Sequence, residues 1–204
     1  MNFTLQGTDP RFLYLKKRLE ADGHALTPDS ENVIAPPAER RGIPYYQDEI
    51  YTLENAALTA EGALELLMRR SNRSLVGMTV LVVGYGRIGS ALAPMLSALG
   101  ARVTVAARSP LDRAAAAARG YDSVDITQIS SPYEAVVNTV PAPVLDGDYG
   151  GALCLDLASA PGGWQPGTAV LKAPGLPGLY APKAAAHIMA QAIYRVLKEE
   201  PCHG

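Results

Sequence analysis

Three glycines at fixed spacing, Gly84, Gly86 and Gly89, stand in the run VLVVGYGRIGSALAPML, Val80 to Leu96. The run opens as apolar strand residues and closes as a helix. A strand, spaced glycines and a helix in that order can hold the pyrophosphate of a dinucleotide. The first glycine permits the tight turn, the second lets phosphate approach the backbone, and the third lets helix and strand pack closely. The amides of Arg87 and Ile88 would point at phosphate from the helix start, where the helix dipole favours an anion. The competing reading is a glycine-rich turn that binds nothing. A second strand–helix unit at the proper distance favours the ligand.

Which dinucleotide is bound should be decided at the end of the second strand. An NAD-preferring site places a carboxylate there, about 20 residues on, against the ribose hydroxyls. This chain has VAARSP instead, with Arg108 and Ser109 at the turn. A carboxylate would repel a 2′-phosphate, whereas Arg108 can pair with it and Ser109 can donate to it. Arg113, one turn further on, would add a second positive charge. The reading is NADP(H), against the plainer alternative of a solvated surface arginine. At the end of a later strand, VVNTVPAP places Asn138, Thr139, Val140 and Pro141 where they would line the nicotinamide ribose. A turn that merely ends a strand is the alternative.

The elements that must position these residues follow from hydrophobic period. NFTLQG reads as a short strand and DPRFLYLKKRLEADG as a helix from Pro10, with Asp9 as N-cap and Gly23 as its stop. NVIAPP offers a second strand. AERRGIPYYQDEIYTLEN has no clean period and is expected to wrap over a surface. LTAEGALELLMRRSN is an amphipathic helix with Ala63, Leu64, Leu67 and Met68 on one face. From Met78 the pattern becomes regular: strands MTVLVV, RVTVAAR, DSVDI, EAVVNTV, ALCLDLA and TAVLK alternate with helical stretches, and a last helix runs from about Pro182 to Lys198. Short Val- and Leu-rich strands alternating with helices imply a parallel sheet covered on both faces. The expected division is a reduced N-terminal α/β piece (1–55), a connecting helix (56–74), a dinucleotide-binding domain (75–182), and a C-terminal helix and tail (183–204).

Composition narrows the function classes. A chain of 204 residues, 48% hydrophobic and 19% charged, reads as globular rather than disordered. A net charge of −2 gives no basic footprint for nucleic acid. No apolar run approaches the roughly 20 residues of a membrane helix, and the N-terminus does not read as a signal peptide. The two cysteines, Cys154 in an apparent strand and Cys202 in the tail, make no framework, so the expected location is the cytoplasm. No cluster has metal-ligand spacing, and no nucleophile elbow occurs.

In order along the chain, TAEGAL, VLVVGYGRIG, VTVAARS, VVNTVPAPV, LDLASAPGG and APGLPGLYAPKAAAHI resemble the family of the dipicolinate synthase A-subunit, over about Glu54 to Leu197. The resemblance implies an α/β fold, a doubly wound parallel sheet of Rossmann type with a small, truncated N-terminal piece. It implies a sporulation oxidoreductase that passes hydride from a dihydrodipicolinate-type cyclic dicarboxylate to NADP+, giving pyridine-2,6-dicarboxylate, and a flavoprotein-like second subunit. On these segments, Thr59 and Glu61 would begin the connecting helix and face the cleft. Asp156, Ser159 and Pro161 to Gly163 would lie past the fifth strand, and Gly175 and Gly178 would bring backbone close to the nicotinamide. Lys183 would bind a substrate carboxylate or transfer a proton, with a surface lysine as the alternative. His187, four residues on, reads as a helix-face histidine with a local hydrogen bond, and His24 and His203 as surface residues. Trp164 would cap a pocket or pack on the domain. The first domain, about 55 residues, is shorter than the family's, and the surface this leaves open suits a homo-oligomer. Two other functions remain open: a related dehydrogenase with another small acid substrate, and an NADP(H)-binding sensor or accessory module without catalysis.

Overall fold

The computed structural model describes residues 1–130, 132–147 and 149–198; Cys202 and His203 lie outside them. In chain order the elements are β1 (Asn2–Leu5), α1 (Phe12–Ala21), β2 (Ala25–Leu26), β3 (Val33–Ile34), α2 (Glu49–Ser71), β4 (Thr79–Val83), α3 (Arg87–Ala98), β5 (Arg102–Ala106), α4 (Pro110–Ala117), β6 (Asp122–Val124), β7 (Ala135–Asn138), β8 (Leu153–Asp156), β9 (Leu171–Lys172), α5 (Leu176–Tyr180) and α6 (Pro182–Leu197). Two compact units result, one of Met1–Leu58 with Pro177–Gly204 and one of Thr59–Leu176.

The Thr59–Leu176 unit holds a six-stranded sheet in the order β6-β5-β4-β7-β8-β9, and every pairing is parallel. Counted within the sheet this is the order 3-2-1-4-5-6, which reverses between β4 and β7 and opens a crevice at their carboxyl ends. The alternating sides of the valine-rich strands face two different cores. Val80, Val82, Val103, Val105 and Val137 pack with Leu92 and Leu96 of α3 and with Ala60, Ala63 and Leu67 of α2. Leu81, Val83, Ala106 and Val136 face the other way, onto Leu145, Cys154 and Trp164. A Val or Leu side chain, fully buried, is worth about 1.5–3 kcal/mol.

The expected strand–helix alternation holds only from β4 to β6. A 3-10 turn at Ile126–Gln128 leads toward β7, and among the described residues no α-helix joins β7 to β8 or β8 to β9. Loop residues cover that face instead, Leu145 and Trp164 being joined by a parallel bridge. At the opposite edge of the sheet Glu134 fixes the strand starts. Its Oε2 accepts the Thr79 amide at 2.8 Å, and Arg73 pairs with its other oxygen.

The other unit has a three-stranded parallel sheet in the order β2-β1-β3. The short β2 has no counterpart in the sequence pattern. Phe12, Leu15 and Leu19 of α1 share a core with Ala186, Met189, Ala190, Ile193 and Tyr194 of α6. The Tyr194 hydroxyl donates to Asp22 Oδ2 at 2.7 Å, and Arg18 donates to the same oxygen at 2.6 Å. Asp9 takes Arg11 in a two-pronged pair, with Nε at 2.8 Å and Nη2 at 2.6 Å, while Arg11 Nη1 donates to Tyr51 at 2.8 Å.

Two helix starts differ from expectation. Helix α1 begins at Phe12 rather than Pro10, because the Asp9 carboxylate accepts the Arg11 amide at 2.9 Å and ends the turn there. Helix α2 begins at Glu49, not near Leu58: Asp48 supplies an N-cap, its Oδ1 accepting the Tyr51 amide at 2.7 Å. The segment expected to wrap over a surface therefore carries core residues, Tyr45 and Tyr51 being buried.

Candidate functional site

The glycine loop follows β4 directly, and its three glycines play three different parts. Gly84 turns the chain at a φ of +91°, and a Cβ there would meet Thr139 Oγ1 at 2.5 Å and Val140 Cγ2 at 2.8 Å. Gly89 lies against the Gly84 carbonyl, which a Cβ would strike. A Cβ on Gly86 would meet nothing within 4 Å, so the space beside the helix start is open. Gly86 is also the N-cap of α3 and no side chain caps the helix. Arg87 is exposed and Ile88 half-buried. An uncapped helix start beside open space presents backbone donors to an anion, so these residues fit a dinucleotide pyrophosphate.

At the end of β5, Arg108 is exposed, and among the described residues its guanidinium makes no hydrogen bond or ion pair. Ser109 is the N-cap of α4, its Oγ accepting the Asp112 amide at 3.3 Å. The hydroxyl proton stays available to donate. Arg113 is not a loose second cation. Its Nη1 lies 2.7 Å from the Ala107 carbonyl, 2.8 Å from the Arg108 carbonyl and 2.7 Å from Asp125 Oδ2. The sequence motifs did not point to Asp125, although an Asp two residues before Thr127 is a recognisable turn signal. Its Oδ1 accepts from the Thr127 amide at 3.0 Å and hydroxyl at 2.8 Å. These bonds, and then Arg113, hold the Asp125 carboxyl below its ordinary range.

Asn138 is fully buried and its amide is engaged, Nδ2 donating to the Val140 carbonyl at 2.9 Å and to Asp156 Oδ1 at 2.8 Å, while Oδ1 accepts the Val140 amide at 3.1 Å. Both protons of the Asn138 amide are thus committed within the protein. Asp156, 3% exposed, also accepts from the Ala158 amide at 3.2 Å and the Gly163 amide at 3.0 Å. The LDLASAPGG segment thus folds back over its own aspartate. Cβ atoms on Gly162 and Gly163 would strike Asp156 and Asn138 respectively. Thr139 sits beside the glycine loop, its hydroxyl donating to the Val83 carbonyl at 2.9 Å, and Pro141 is exposed. Ser159 is exposed, its carbonyl accepting the Gly162 amide at 2.9 Å. Trp164 packs on the sheet, 5% exposed, with its indole Nε1 lacking a partner among the described residues.

One further neighbour of the loop carries no signal in the sequence beyond its place in the motif. Tyr85, between the first two glycines, is buried, and its hydroxyl accepts from Arg119 at 3.2 Å. The Arg119 guanidinium also lies over the Tyr85 ring, 5.9 Å from its centre.

With this geometry in place, comparison with known proteins identifies the domain and the relatives. Residues 52–144 match the NAD binding domain of D-isomer specific 2-hydroxyacid dehydrogenases. The A-subunit of dipicolinate synthase from Bacillus subtilis is 32% identical over 180 residues, covering 81% of this chain and 61% of the relative. The chain is thus similar in sequence to the dipicolinate synthase A-subunit. It spans about three fifths of that curated relative's length. In structure, the corresponding protein from Bacillus halodurans superposes with a TM-score of 0.81 at 21% identity, covering 98% of each chain. D-lactate dehydrogenase from Escherichia coli gives 0.64 at 13% identity, covering 99% of each. Both show the same α/β fold. The chain therefore carries an NAD(P)-binding domain of dehydrogenase type, and no described helix is long and apolar enough to cross a membrane.

The residues implied by the likeness to dipicolinate synthase fall in several places. Thr59 does not begin a helix: it lies in the middle of α2 and is buried, so the helix dipole cannot serve it as expected. Glu61, two residues on, is exposed. Gly175 is exposed with a φ of +71° and open space where a Cβ would stand, whereas a Cβ on Gly178 would lie 3.5 Å from the Arg11 side chain. Lys183 is an exposed residue in the first turn of α6. His187 is exposed, its Nε2 3.2 Å from Gln191 Nε2.

Proposed function

We propose that the protein is an NADP-dependent oxidoreductase of the dipicolinate synthase kind. It oxidises a dihydrodipicolinate-type cyclic dicarboxylate to pyridine-2,6-dicarboxylate. A second, flavoprotein-like subunit is its proposed partner, and homo-oligomeric assembly in the cytoplasm completes the reading. The observation that carries the cofactor choice is Arg108, exposed and, among the described residues, unpaired where an NAD site would place a carboxylate. The open side of Gly86 and the uncapped start of α3 supply the phosphate cradle.

Bound NADP+ would supply a hydride acceptor. A hydride leaves the saturated ring carbon and a proton leaves its neighbour, so the ring becomes an aromatic pyridine. Aromatisation provides the driving force, which leaves the protein to orient the reactants and accept one proton. Thr139 and Val140, against the glycine loop, are proposed to form the wall beside the cofactor. Ser159, Gly175, Gly178 and Glu61 stay candidates on the substrate side. Lys183, exposed and unpaired among the described residues, is the proposed group for a substrate carboxylate or the proton.

Titration with the two reduced dinucleotides tests the reading. NADPH is expected to bind at least tenfold tighter than NADH, and Arg108→Glu to reverse that order. Equal affinities would remove the NADP assignment. Turnover of dihydrodipicolinate with NADP+, alone or with the flavoprotein partner, tests the substrate. No turnover beside intact NADPH binding would point to a sensor or to a different acid.

A further inference from the structure

The turn that carries Arg108 is held from behind by a short chain of charged and polar groups. Arg113 Nη1 has two protons and three acceptors within 2.8 Å: the carbonyls of Ala107 and Arg108, and Asp125 Oδ2. Both protons are therefore engaged by groups inside the protein. Asp125 neutralises the guanidinium and is itself clamped through its other oxygen by the amide and hydroxyl of Thr127. Arg113 and Asp125 are each about three-quarters covered, at 24% and 27% side-chain exposure. The Ala107 amide donates to the Val124 carbonyl at 3.1 Å, so the turn after β5 is tied to the end of β6 at two levels. Of the two arginines here, Arg113 is committed to groups of the protein, whereas the Arg108 guanidinium has no partner among the described residues.

We propose that Arg113 is a positioning residue for recognition of the 2′-phosphate: it fixes the carbonyls of Ala107 and Arg108, and so aims Arg108, without contacting the phosphate itself. The proposal rests on the NADP reading above. A guanidinium already paired with a carboxylate brings little net charge to a phosphate. The same guanidinium bridging two successive carbonyls restricts the backbone from which Arg108 projects, and a pre-set arginine loses less freedom on binding.

The test is a double-mutant cycle read as the ratio of NADH to NADPH dissociation constants, which a general loss of folding would leave unchanged. Arg113→Met is expected to lower that ratio about tenfold while NADH binding stays as in the parent. In an Arg108→Ala background the same substitution should change nothing further, because no side chain remains to be aimed. Asp125→Asn should lower the ratio as well, by a smaller factor. Additive losses from Arg108→Ala and Arg113→Met would overturn the proposal in favour of a direct contact. So would tighter NADPH binding by Asp125→Asn, since freeing Arg113 would then have supplied a second phosphate ligand. An unchanged ratio in Arg113→Met overturns it too. The parent and Arg108→Ala judge the cofactor reading by themselves: if the parent shows no preference, that reading fails first and takes this one with it.

Discussion

The two halves of the sheet's carboxyl edge use similar residues to opposite ends. After β4 and β5, the chain leaves a helix start without a side-chain cap, open space beside Gly86, and an exposed arginine without a partner among the described residues. After β7 and β8, Asn138 and Asp156 are buried, and their polar atoms are committed to each other and to the loop at Gly163. Both stretches look functional as text, since each combines glycines with small polar residues at strand ends. The difference lies in what a polar atom faces. Where donors remain unsatisfied at the surface, a ligand can bind. Where they are satisfied inside, they fix the wall against which a ligand rests.

Substitutions can break this contrast, and the largest effect belongs to the sealed half. Asp156→Ala strands two backbone amides and the Asn138 amide, each costing about 1–3 kcal/mol when buried without a partner. The expected loss of stability is about 3 kcal/mol, measured by denaturant unfolding without cofactor. A stable Asp156→Ala protein that no longer binds dinucleotide would mean the aspartate serves the ligand instead. On the open half, Gly86→Ala adds a methyl that meets no protein atom, so stability should change by no more than about 1 kcal/mol. Titration should then show dinucleotide affinity down by tenfold or more; unchanged binding would place the pyrophosphate elsewhere.

The smallest effect is a pH dependence at the clamp behind Arg108. Asp125 has a folded pKa below its ordinary 3.8, set first by the Thr127 amide and hydroxyl and then by Arg113. A carboxyl depressed by folding stabilises above its unfolded value, and that contribution disappears as pH falls through the folded one. The thermal midpoint of Asp125→Asn should thus trail the parent by a constant margin near neutrality. The margin should close as pH falls below 3.8. A margin that persists in strong acid would exclude the charged form as its source.

Much of the open half was legible in the sequence because its determinants are local. Five consecutive strand residues, three spaced glycines and an amphipathic helix state β4, its turn and α3 within one short window. Arg108 could be read the same way, being one residue at a known distance from the loop. The pairing of Asn138 was not legible because burial is not local: its partner Asp156 comes 18 residues later, and only the parallel register of β7 and β8 sets them side by side. Thr59 was misplaced because the helix around it starts ten residues earlier, in a stretch whose tyrosines point into a core rather than following a plain amphipathic stripe. Arg113 was recognised as a cation, but its partner Asp125 lies on a different turn, beyond the reach of any helix-spacing rule.

The sealed loop also contains the chain's single tryptophan. Trp164 follows directly on Gly163, is 5% exposed, and among the described residues its indole N–H has no partner. Its emission should therefore lie toward the blue, and shift red only when water enters behind β7 and β8. NADPH is itself a fluorophore with its own longer-wavelength band. One cuvette can in this way report loosening of the wall and occupancy of the cradle in separate colours.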